Sequence, residues 1–127
     1  MKLTTKTMGL ALSVLATAML TACGSSHEPK YVWMAKSDLK LFYHARIYQG
    51  SDEPCETAQL DGKWYINCGG EPGRIGGLYY IEPKGDMAYV AYSLNGTAGT
   101  HQLRAGREPV KLPKAIDLAP IVSLFKH

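Results

Sequence analysis

The apolar residues of this chain come in three rhythms, each with its own structural meaning. A predominantly apolar run from Met8 to Leu20 follows Lys2 and Lys6. It is shorter than the ~20 residues a helix needs to span a bilayer, so it has the form of a cleavable signal segment. In the middle of the chain apolar and polar residues alternate, the period of half-buried antiparallel strands. Near the end, Leu118, Ile121, Val122 and Phe125 are spaced i, i+3, i+4, i+7, the stripe of a helix.

The alternating region predicts a succession of short strands. Tyr31 to Lys36 forms the first, with Ser37-Asp38 as a turn. From Leu39 to Tyr48 one face carries Leu39, Leu41, Tyr43, Ala45 and Ile47, and the other Lys40, Phe42, His44, Arg46 and Tyr48. After a polar loop over Gln49 to Pro54 comes Asp61-Gly62, a two-residue hairpin signal between Thr57-Ala58-Gln59-Leu60 and Lys63-Trp64-Tyr65-Ile66. With Leu60 opposite Lys63 as a hydrogen-bonded pair, the register sets Cys55 opposite Cys68 on a non-hydrogen-bonded pair. There the Cα atoms approach to ~4.5 Å, within reach of a disulfide. A Cys55–Cys68 bond across the hairpin is therefore expected.

Gly69-Gly70-Glu71-Pro72-Gly73 is a connector, and Ile75 to Glu82 the next strand. Pro83-Lys84-Gly85-Asp86 turns into a strand over Met87 to Leu94. Asn95-Gly96 is a second hairpin signal, with Thr97 to Leu103 expected to pair back. Gly106 to Pro113 is extended. Asp117 is placed to cap the terminal helix, Pro120 fits its first turn, and Lys126 and His127 suit its C-terminal dipole. A strand through Ile116, Leu118, Val122 and Leu124 is the alternative. The predicted fold is mainly β: a small antiparallel meander closing as a barrel or sandwich, with a short C-terminal helix.

At the front of the chain, Leu20-Thr21-Ala22-Cys23 closes the charged and apolar leader. This stretch resembles the lipobox of bacterial lipoproteins, a likeness covering about the first 24 residues. The resemblance implies cleavage before Cys23, a diacylglyceryl group on its sulfur and a fatty acyl chain such as palmitate on its new amino terminus. Two chains already suffice for stable anchoring at ~0.8 kcal/mol per buried CH₂. Gly24 follows the cysteine where many enteric members carry an inner-membrane retention Asp. By that rule the expected address is the outer membrane, facing the periplasm. Residues 1–22 are then the signal peptide, residues 23–30 a lipidated tether reaching ~25 Å when stretched, and residues 31–127 a single β-rich domain with a tail over 106–127.

Removing Lys2 and Lys6 from the 14 Lys and Arg residues leaves 12 against 11 Asp and Glu. That near balance argues against a nucleic-acid partner, which requires a concentrated basic face. With Cys23 lipidated, Cys55 and Cys68 are the remaining thiols, in a compartment that oxidises them.

Catalytic patterns are sparse. Ser37-Asp38-Leu39-Lys40 matches a Ser-x-x-Lys pattern but lies between two predicted strands without partner motifs. Gly70, Gly73 and Gly76 lack the Lys-Ser/Thr of a phosphate-binding loop. His27, His44, His101 and His127 form no zinc spacing, and a convergence of His44, His101 and Asp86 is the one histidine arrangement left open. No enzyme, cofactor or metal is expected. The candidate binding face is Lys40, Phe42, His44, Arg46 and Tyr48, interleaving cations and aromatics for an envelope protein or an anionic glycan or lipid. The expected role is a non-enzymatic binding or assembly module on the outer membrane. The alternatives are an inhibitor of a wall hydrolase such as lysozyme, though the Ser-Gly-x-x-Tyr motif of those inhibitors is absent, and a small hydrolase using His44 or His101.

Overall fold

The computed structural model describes residues 28–49, 54–69 and 73–126. The expected leader over 1–22, Cys23, His27 and His127 lie outside the described residues. So do 50–53 and 70–72, within the two expected connectors.

Four strands, β1 (Cys55–Leu60), β2 (Lys63–Cys68), β3 (Gly77–Pro83) and β4 (Tyr89–Ser93), form one antiparallel sheet in the order β1-β2-β3-β4. The Asp61-Gly62 turn has φ 52° and 76°, the left-handed pair that a type I′ hairpin requires. From it the register runs Leu60 to Lys63 out to Cys55 opposite Cys68, where the disulfide closes a Cα separation of 4.1 Å. The expected hairpin, its register and its staple are all present.

The sheet is not closed into a barrel. Its edges are β1 and β4, and part of the β4 edge is occupied where Ser93 N–H donates to Val110 O at 2.8 Å. The four strands run as the expected antiparallel meander, but three helices accompany them, so the class is a four-stranded antiparallel sheet with three helices in place of a mainly-β barrel or sandwich.

Both expected strands before the disulfide are helical. Helix α1 spans Lys30–Phe42 and passes into a π-helical turn, Tyr43–Ile47. Val32, Ala35, Leu39 and Phe42 are buried at i, i+3, i+7 and i+10, a stripe that the even-odd alternation from Leu39 onward conceals. Ser37 and Asp38 do not turn the chain; they sit on the helix's partly exposed and exposed sides. Burying each large apolar side chain of this stripe contributes about 1.5–3 kcal/mol, which outweighs the weak strand propensity of the same residues. In the π turn Tyr48 N–H bonds to Tyr43 O at 2.9 Å, and both rings come to the core side, their centroids 6.0 Å apart.

The expected strand after Asn95 is helix α2, Gly96–Arg104. Asn95 is not a turn residue but the helix N-cap, in extended conformation, with Oδ1 accepting from Ala98 N–H at 3.0 Å. Asn-Gly serves a hairpin or a cap equally well. The buried Ala98, with His101, Gln102 and Ala105 partly buried, sets the helical period that decides between them. Helix α3, Ala119–Phe125, follows the expected stripe: Ile121 and Phe125 are buried, Pro120 lies in the first turn, and Asp117 Oδ1 accepts from Ala119 N–H at 3.1 Å.

These elements cover the sheet on both faces. On one side α1, the π turn and Ala98 of α2 pack on Cys55, Ile66, Cys68, Tyr79 and Ile81. On the other, Ile121 and Phe125 of α3 pack with Tyr65 and Leu78.

Candidate functional site

Two concavities border helix α2. The larger, about 590 Å³, lies between α2 and the segment that follows it, lined by Gly99, Leu103, Lys111, Lys114 and Ile116 among others. Leu103 and Ile116 are 58% and 43% exposed, so its apolar wall faces solvent. The smaller, about 280 Å³, lies between α1, β4 and the same segment, and it gathers more chemistry.

Asp38 and Phe42, four residues apart on α1, share the flank that faces this smaller cleft. Tyr89, at the start of β4, donates its hydroxyl hydrogen bond to Asp38 Oδ2. Burial and that bond to Asp38 push the Tyr89 phenol above its ordinary range. Arg107 enters from the segment after α2 and lies over the Phe42 ring, 4.7 Å from its centroid. Glu108 and Gln102 complete the polar lining. With Asp38 committed to Tyr89, the cleft offers a guanidinium on an aromatic ring beside a closed carboxylate–phenol pair. That arrangement suits recognition of a small polar or anionic group.

Behind the cleft is a buried aromatic cluster. The Tyr43 and Tyr79 hydroxyls share a hydrogen bond of 2.9 Å, and Gln102 Nε2 donates to the Tyr79 hydroxyl at 3.3 Å. Burial raises both phenols above their usual range, Tyr43 further through Tyr79 beside it. His101 stacks edge-on to Tyr43 at 5.3 Å and to Tyr48 at 6.0 Å, and its Nδ1 is buried without a hydrogen-bond partner among the described residues. Desolvation and then Arg104 hold the His101 imidazole below its ordinary pKa.

The sequence-derived binding face does not survive as a face, because its strand is a helix. Phe42 is 5% exposed and in the core, and Tyr48 is half-buried against Tyr43. Lys40, His44 and Arg46 are exposed. Nor do His44, His101 and Asp86 converge. Asp86 lies by Lys30 and Tyr31 at the N-terminal end of α1, whereas His44 is in the π turn at its other end, some ~20 Å away along the axis. Among the described residues no three His, Cys, Asp or Glu side chains are grouped to hold a metal ion. The cleft residues Asp38, Tyr89 and Arg107 were missed by the strand reading. The signal that finds one of its walls is the helical i, i+4 relation of Asp38 to Phe42.

Comparison with protein-family models, curated proteins and solved structures yields no match to this chain.

Proposed function

We propose that the chain is a lipid-anchored protein of the bacterial envelope. Cys23 carries the lipid, and the sheet with its helices forms a non-enzymatic binding or assembly module on the periplasmic side of the outer membrane. One observation carries this reading: Lys2, Lys6, the apolar run and Leu20-Thr21-Ala22-Cys23 occur together in that order. Two others support it. Cys55 and Cys68 are disulfide-bonded, as export to an oxidising compartment requires. The described polar groups of the cleft and the aromatic cluster are largely committed to one another, which favours recognition over reaction. The partner is an envelope protein or an anionic glycan or lipid.

Fractionation of the native host tests the anchor. The chain sediments with outer membranes, and a Cys23→Ala variant is released or retained with its leader uncut. Recovery of the unmodified chain in the soluble periplasm contradicts the proposal. Crosslinking of the lipidated form then separates the partner classes: one dominant protein indicates assembly, and glycan fragments alone indicate wall binding.

A further inference from the structure

Helix α1 has an outward face that the described residues leave uncovered. Its core side carries Val32, Ala35, Leu39 and Phe42. At 100° per residue the opposite side carries Lys30, Trp33, Ser37, Lys40 and Leu41. Trp33 is 62% and Leu41 68% exposed, high values for side chains of their size. Lys30 and Lys40 flank them, exposed to solvent.

Charge is segregated in the same place. Residues 30–46 hold four Lys and Arg against one carboxylate, Asp38, whereas the rest of the chain after residue 22 holds 8 against 10. Asp86 lies by Lys30 at the N-terminal end of this helix, but the two carboxylates at residues 28 and 38 are turned away from its outer side. Glu28 pairs with Lys36 at 3.6 Å and accepts from the Thr57 hydroxyl, and Asp38 is bonded to Tyr89. Neither lies among the outward residues.

Lys30 is seven residues from Cys23, a span of ~25 Å at full extension. A lipid on Cys23 therefore holds this helix end near the bilayer surface, together with the turn over 83–87 beside it. An indole and a leucine between lysines match the headgroup region, where aromatic rings settle and basic residues meet anionic lipid.

We infer that the outer face of α1 docks on the anionic bilayer surface to which the chain is tethered, with Trp33 and Leu41 entering the interface and Lys30 and Lys40 on phosphate headgroups. The lipid anchor then fixes the orientation of the domain as well as its address. The cleft at Arg107, on the flank of the same helix, is held close to the membrane. This inference rests on lipidation of Cys23.

The test uses the full lipidated protein with Trp64→Phe, so that Trp33 is the reporter. It is reconstituted into vesicles of equal parts phosphatidylcholine and phosphatidylglycerol with brominated acyl chains. Flotation of the vesicles reads the anchor, and Trp33 emission reads the face. The expected result is flotation with blue-shifted, bromine-quenched emission. A Lys30→Gln/Lys40→Gln variant floats equally but has its docked-to-undocked ratio lowered roughly fivefold per lysine. A chain that floats with unquenched Trp33, or is quenched equally by pure phosphatidylcholine vesicles and in the double variant, overturns the docking face while leaving the anchor standing. A chain that does not float overturns the anchor and this inference together.

Discussion

Asn67 and Asn95 grip residue 76 from opposite sides. Asn67 Oδ1 accepts from Gly76 N–H at 2.9 Å, and Asn95 Nδ2 donates to Gly76 O at 2.9 Å. Each makes further bonds: Asn67 Nδ2 donates to Arg74 O at 3.0 Å, and Asn95 Oδ1 accepts from Leu78 N–H at 3.1 Å and caps α2. The entry into β3 and the start of α2 are thereby fixed to one another. Asn95→Ala removes a cap and leaves buried groups unpaired, so it should cost about 3 kcal/mol; Asn67→Ala should cost about 2 kcal/mol. Because both act on Gly76, the double variant should lose less than the sum. Urea unfolding midpoints at constant slope check this.

Gly77 faces the Tyr43 hydroxyl so closely that an added Cβ would lie 2.0 Å from it. Gly77→Ala should cost about 3 kcal/mol or more by overpacking. Tyr43→Phe alone loses the Tyr43–Tyr79 hydrogen bond, about 1 kcal/mol, since Tyr79 keeps Gln102 as partner. The double variant should be more stable than Gly77→Ala alone. Thermal unfolding of the three proteins tests the relationship.

The hairpin half of the fold was legible because its signals are local. Asp61-Gly62 dictates left-handed backbone, and counting outward from it meets Cys55 and Cys68 on a register that nothing else perturbs. The C-terminal helix was legible from its local stripe, although its N-cap is Leu118 and Asp117 sits one residue earlier, bonding to Ala119 N–H. Helix α1 was hidden because Leu39, Leu41, Tyr43, Ala45 and Ile47 satisfy a period of two, and only the longer set beginning at Val32 displays 3.6. Asn95-Gly96 concealed α2 because the bonds that select a cap over a turn come from Gly76 and Leu78, some 17 to 19 residues earlier. The cleft depended on both misread helices and therefore was not visible in the sequence.

Reduction of the Cys55–Cys68 bridge, which joins residues 13 apart, should lower stability by about 3 kcal/mol. A Cys55→Ala/Cys68→Ala variant should unfold at the same denaturant concentration as the reduced protein, and the oxidised protein at a higher one.

His101 makes stability depend on pH. Its folded pKa is lowered by burial and then by Arg104, so the folded state disfavours the proton that the unfolded chain takes up near 6.5. Its contribution is present above about pH 6.5 and is lost as pH falls through the lower folded value. The melting temperature should therefore drop between pH 7.5 and 5.5, and by less in His101→Phe. An equal drop in both would remove His101 from this role.

The sulfur of Cys23 underlies the proposed address and the proposed docking face alike. Mass spectrometry of the protein taken from native membranes reads that atom directly. The predicted result is an N-terminal peptide beginning at Cys23, with a diacylglyceryl group on the thiol and an acyl chain on the amine. An intact leader, or a free sulfhydryl at position 23, would contradict it.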